Sequence, residues 1–104
     1  MKLSIIIPTK DRREVFNLTI ANAIKAIEEV DAEIIVVNDS KTAMVQLPEV
    51  SSKVILLNNP KSGVAAARNF GAANSNGEVL LFVDDDILIG KDNIKAIMEA
   101  HQQF

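Results

Sequence analysis

The sequence predicts a doubly wound α/β fold built on a mostly parallel sheet. Short apolar runs end in polar clusters, at Leu3 to Ile7, Glu33 to Val37, Lys53 to Leu57 and Val79 to Val83. Apolar residues at helical spacing lie after the first run, between the third and fourth, and after the fourth. The resulting order of strand, helix, strand, strand, helix, strand, helix shows no internal repeat and argues for helices on both faces of one sheet. With 104 residues, of which 48% are hydrophobic, residues 1–104 read as a single domain with a core of its own. Right-handed crossovers then give the strand order 3-2-1-4 with all strands parallel, which sets Pro8 and Asp84 on neighbouring strands.

The first strand, Leu3 to Ile7, is stopped by Pro8, which has no N–H to give to a sheet ladder. Asp11 with Glu14 resembles a capping box, and Val15, Leu18, Ile20, Ala23, Ile24 and Ile27 form the apolar stripe of a helix over about residues 12–29. The second strand ends at Asn38-Asp39-Ser40 and the third at Asn58-Asn59-Pro60. Residues 41–52 contain Pro48 and several polar residues, and a loop or short helical turn is expected there. Ser62 or Gly63 opens a helix to about Ala73, with Val64, Ala67, Phe70 and Gly71 on its packing side and Asn74 to Gly77 closing it. Val79 to Val83, unbroken by a polar residue, read as a strand buried on both faces at the centre of the sheet. A last helix starts near Asp92, with Ile94, Ile97 and Met98 inward.

Composition narrows the function. Eleven basic and fourteen acidic residues leave a net charge of -3 without a charged block, so long-range attraction to nucleic acid or an anionic membrane is not favoured. The chain has no cysteine, which excludes disulfides, thiolate metal sites and a thiol nucleophile, and fits a cytoplasmic location. The apolar N-terminal stretch is too short for a signal-peptide core or a membrane span. The only histidine, His101, sits late in the last helix and is assigned no catalytic role.

In a sheet of this kind ligands bind beyond the carboxyl ends of the strands. Those ends carry Pro8-Thr9, Asn38-Asp39-Ser40, Asn58-Asn59 and Asp84-Asp85-Asp86. Aspartates favour turns, and a solvated turn accounts for one or two acids. Three in a row after a buried strand point further, to a hard divalent cation, Mg2+ or Mn2+, held by one carboxylate and bridging a diphosphate while another meets sugar hydroxyls. Asp39 reads either as a loop acid or as an acceptor for a base or ribose. Arg68 reads either as a surface residue or, because Val64 to Ala67 are small enough for close helix approach, as a cation aimed at the strand ends. Lys61 and Gly63 suggest an anion site at a helix N-terminus, but the P-loop spacing is missing.

Together, Ser4-Ile5-Ile6-Ile7-Pro8-Thr9, Glu33 to Ser40, Gly63-Val64-Ala65-Ala66-Ala67-Arg68-Asn69-Phe70-Gly71 and Gly77 to Asp86 resemble the nucleotide-sugar half of the family 2 glycosyltransferases of GT-A fold, over about Leu3 to Ala100. The resemblance implies a Rossmann-like sheet and the inverting transfer of a sugar from a nucleoside diphosphate sugar to an acceptor hydroxyl. It implies that Pro8, Thr9 and Asp39 line the nucleoside pocket, Asp39 facing the base, and that Arg68 reaches base or phosphate. Asp84-Asp85-Asp86 matches the Asp-x-Asp motif. Asp84 and Asp85 then belong to donor binding, Asp84 at the ribose or sugar, and Asp86 is the ligand of Mn2+ or Mg2+.

The chain departs from the family pattern at Lys10, where an aromatic residue is usual, and at Ser40, where Gly or Asn is usual. Family members continue past the Asp-x-Asp strand into the acceptor-binding half, so the chain reads as the N-terminal portion, with the general base expected beyond Phe104. A non-catalytic nucleotide-sugar binding module is the alternative. A nucleotidyltransferase fits less well, because Pro8 to Arg13 lacks the glycines of its phosphate loop. A donor half of this length is expected to expose a sheet edge with Ile87, Leu88 and Phe104, and to self-associate.

Overall fold

The computed structural model describes residues 2–10, 13–39 and 53–102. Its elements are β1 (Leu3–Thr9), α1 (Arg13–Ala26), β2 (Ala32–Asn38), β3 (Val54–Asn58), α2 (Val64–Ala73), β4 (Val79–Phe82) and α3 (Lys91–Gln102). The strands form one sheet in the order β3-β2-β1-β4, and every neighbouring pair is parallel. This is the predicted doubly wound α/β arrangement. The predicted cap Asp11, Ser40, the segment 41–52 and Phe104 lie outside the described residues.

Side-chain alternation divides the core into two layers. Leu3, Ile5 and Ile7 of β1, Ile34 and Val36 of β2 and Val79 of β4 pack with Phe16, Ile20, Ala23 and Ile27 of the α1 region and with Ile94 and Met98 of α3. On the other face Ile6, Ile35 and Val37 pack under Ala67 of α2. The chain winds from β1 to β2 to β3 on one side, and α2 then carries it back across β2 and β1 to β4. Gly71 permits that close crossing, since a Cβ there would lie 2.6 Å from Ile6 Cγ2.

Several expectations change. β1 continues through Pro8, which is in register with Val37. Leu3 N–H bonds to Asp31 on the β2 side and Ile6 C=O accepts from Val83 on the β4 side, so alternation turns the nitrogen of Pro8 towards β4. The ladder between β1 and β4 stops at Ile6–Phe82, so no bond is lost there. β4 is the edge strand of the described sheet, as the predicted order 3-2-1-4 requires, and is not buried on both faces. Leu80 and Phe82 are 39% and 46% exposed, because α2 lies over β1 and β2 and does not reach them. α1 ends at Ala26 rather than near residue 29. Leu18 is exposed, its place in the packed stripe taken by Phe16, and Val64 is exposed in the first turn of α2, beyond the sheet it was expected to cover. Ile87 and Leu88 are exposed as expected.

A buried polar cluster fixes the end of the sheet away from the strand carboxyl ends. Glu33 accepts from Ser4 Oγ and from Asn76 N–H, both at 2.6 Å, while Gly77 N–H donates to Ser4 Oγ at 2.8 Å. Burial by itself pushes the Glu33 carboxyl up. The hydrogen bonds from Ser4 and Asn76, with the charge of Lys2, outweigh burial and hold it below its ordinary value.

Candidate functional site

β1 and β4 are neighbours although α1, β2, β3 and α2 separate them in the chain, so the winding direction reverses between them. Such a switch point leaves a crevice beyond the strand ends. Here a cavity of about 400 Å³ is lined by Pro8, Thr9, Lys10, Asp39, Gly63, Val64, Asp84, Asp85 and Asp86. That volume falls in the range of small-molecule sites.

Asp39 follows β2, and its N–H donates to Thr9 C=O at 2.8 Å, extending the pairing of β1 and β2 by one residue. Its carboxylate is buried between two donors, with Asn59 Nδ2 2.7 Å from Oδ1 and Gly63 N 3.2 Å from Oδ2. Gly63 is the N-cap of α2 and has φ 103°, a backbone conformation open to glycine. The anion at the start of α2 is therefore the protein's own carboxylate, where the helix dipole favours negative charge.

The three aspartates after β4 do not form a row. Ile87 N–H donates to Asp84 C=O at 3.2 Å, closing a turn with Asp85 and Asp86 at its centre. Asp85 points inward, 7% exposed, and accepts from Thr9 Oγ1 at 3.0 Å. Its carbonyl accepts from Thr19 Oγ1 of α1 at 2.7 Å. Asp84 and Asp86 stay on the solvent side of the cavity.

Arg68 reaches the end of β4 from α2, as the small residues before it suggested, and pairs with Asp84 at 3.1 Å. It does not line the cavity that holds Asp39. It borders a neighbouring cavity of about 430 Å³ with Asp84, Phe82, Ile87 and Leu88. Its Nε is buried without a hydrogen-bond partner among the described residues.

Six of the residues that the sequence points to, Pro8, Thr9, Asp39, Asp84, Asp85 and Asp86, thus line one cavity, Asp85 anchored there by Thr9. Neither Asn59 nor Thr19 is among the residues that the sequence assigns to the site, and Gly63, read there as part of an anion site, meets the Asp39 carboxylate. Asn59 was visible as a polar strand end, while Thr19 carries no signal because its partner is a backbone carbonyl 66 residues away. No group of three or more His, Cys, Asp or Glu side chains among the described residues is placed to hold a metal ion unaided. No helix among them is long and apolar enough to cross a membrane.

Known proteins resemble this chain in sequence and in fold. The chain is 30% identical over 103 residues to an uncharacterized glycosyltransferase of Haemophilus influenzae, covering 97% of this chain and 35% of that protein. It is also 30% identical over 111 residues to the poly(ribitol-phosphate) beta-N-acetylglucosaminyltransferase TarS of Staphylococcus aureus, covering 97% of this chain and 19% of the relative. The crystal structure of S. aureus TarS 1-349 in complex with UDP-GlcNAc superposes with a TM-score of 0.78 at 22% identity, over 99% of this chain and 32% of that one. At that identity the superposition speaks for the fold. The chain spans about a third or less of the length of these proteins. The glycosyl transferase family 2 model matches residues 4–104, so the strand-end acids and the β3-β2-β1-β4 sheet stand within a sequence pattern that runs through nearly the whole chain, and the chain belongs to glycosyl transferase family 2.

Proposed function

We propose that this chain is the donor-binding portion of a glycosyltransferase that moves a sugar, with inversion, from a nucleoside diphosphate to an acceptor hydroxyl. The observation that carries the reading is the single cavity at the switch point, where Pro8, Thr9 and Asp39 stand on one side and Asp84 and Asp86 on the other. In this reading Pro8, Thr9 and Asp39 bind the nucleoside, Asp39 towards the base. Asp84 meets ribose or sugar, and Arg68, one ion pair away, balances charge at the phosphates. Asp85 holds the turn in place through Thr9.

The acids also fit a divalent cation. Mg2+ and ions like it are commonly held by one or two carboxylates together with substrate phosphates rather than by an all-protein cage. Asp86, with Asp84 beside it, offers such a donor set on the cavity wall. When bound, Mn2+ or Mg2+ supplies Lewis-acid stabilisation of the departing diphosphate. The chain corresponds to 35% of its Haemophilus relative, and we place the acceptor site and the general base in the protein beyond Phe104. We place the reaction in the cytoplasm, in keeping with a sequence free of cysteine.

The UDP-GlcNAc bound by TarS makes a uridine diphosphate sugar the first donor to try. Calorimetric titration with UDP, GDP and their sugars, with and without Mn2+, tests the reading. Saturable binding that tightens with Mn2+ is expected, and no binding of any nucleoside diphosphate would overturn it.

A further inference from the structure

Resting on the donor-binding reading above, we infer that Asn59, acting with the backbone of Gly63, is a positioning residue that sets the Asp39 carboxylate for base recognition. Asn59 directly follows β3, the strand beside β2, and its N–H donates to Asn38 C=O at 2.8 Å, which fixes its backbone next to Asp39. Its side chain works in two directions. Nδ2 donates to Asp39 Oδ1 at 2.7 Å, while Oδ1 accepts from Lys61 N–H at 3.2 Å, so the amide is held at both ends and cannot swing away without losing a bond. The Lys61 contact ties the loop leading to α2 onto the same amide. That loop delivers Gly63 N–H to Asp39 Oδ2 at 3.2 Å.

Among the described residues each carboxylate oxygen carries one protein donor, and the two donors, both from the connection between β3 and α2, set the plane of the group. A carboxylate oxygen accepts more than one hydrogen bond, so acceptor capacity remains for a ligand, which must then present a donor. The ring N–H of uracil or guanine meets that requirement. Orientation matters because a hydrogen bond weakens steeply as its angle departs from linear, so a carboxylate free to rotate would lose discrimination along with affinity.

The test is calorimetric titration of the full chain with UDP and, separately, with inorganic pyrophosphate, each with Mn2+. Asn59→Ala is expected to weaken UDP roughly tenfold, the scale of a hydrogen bond to a charged group, and to leave pyrophosphate unchanged. In an Asp39→Ala background it should weaken UDP no further, because the two residues act through one contact. Gly63→Ala supplies an independent variant should Asn59→Ala fail to fold. A Cβ there meets nothing within 4 Å, so only the φ of 103° is disturbed, and the same split between UDP and pyrophosphate is expected. Equal weakening of both ligands, full additivity with Asp39→Ala, or unchanged UDP binding would overturn the positioning role. Failure of the unaltered chain to bind UDP would instead overturn the donor-binding reading, and this inference with it.

Discussion

Thr9 and Asp85, 76 residues apart in the chain, meet in a buried hydrogen bond of 3.0 Å that ties the end of β1 to the turn after β4. The middle aspartate of the acidic triplet is thereby buried in the cavity wall, while Asp84 and Asp86 stay exposed. Thr9→Val keeps the β-branched shape and removes the donor from a buried carboxylate. Urea denaturation should show a loss of roughly 1–3 kcal/mol, and Mn2+-dependent UDP binding should weaken as the turn loosens.

Arg68 and Asp84 form a different kind of contact. Their side chains are 41% and 60% exposed, so the pair contributes little to folding. Arg68→Ala is expected to change stability by at most about 1 kcal/mol while weakening UDP measurably. A large loss of stability with unaltered binding would give Arg68 a structural role instead.

Asp86 is the residue we assign to the cation. In the unaltered chain, Mn2+ should strengthen UDP binding by relieving repulsion between the diphosphate and the acids. Asp86→Ala should abolish that metal effect. Titrations that show the same Mn2+ enhancement in both proteins would remove Asp86 from the metal site.

Glu33 gives a pH dependence of determinate sign. Its carboxyl is held below the ordinary value of 4.5 in the folded chain, so its contribution is fully present above that value and is lost as pH falls through the folded value. Glu33→Gln should be less stable at neutral pH by about 1–3 kcal/mol, since an amide cannot accept from Ser4 and Asn76 as a carboxylate does. Stability followed by circular dichroism should fall less steeply below pH 4.5 in Glu33→Gln than in the unaltered chain.

β4 is the open edge of the described sheet, with Leu80 and Phe82 partly exposed on one face. Such an edge invites pairing with another strand. Sedimentation velocity on the 104-residue chain should show self-association, and Phe82→Lys should shift it towards monomer. A monomer at all concentrations would show that the edge is protected.

The strand positions, their parallel order and the gathering of polar ends along one side were all legible in the sequence. Period-2 and period-3.6 patterns are local properties, and a parallel sheet joined by helices leaves few topologies open to them. Asp39, Asp84 and Asp86 could be placed at the crevice on this basis, because a strand end fixes backbone position. Which way a neighbouring side chain turns is decided by its partners. Only the tertiary structure buried Asp85 against Thr9, joined Asn59 to Asp39, sent Arg68 to Asp84 and left Leu18 and Val64 exposed. Each of those outcomes depends on a contact between segments far apart in the chain or on whether a neighbouring element extends far enough to cover the side chain. The burial of β4 shows the same limit: the apolar run Val79 to Val83 specifies a strand and the order puts it at the edge, but only the reach of α2 across the sheet decided which of its faces was covered.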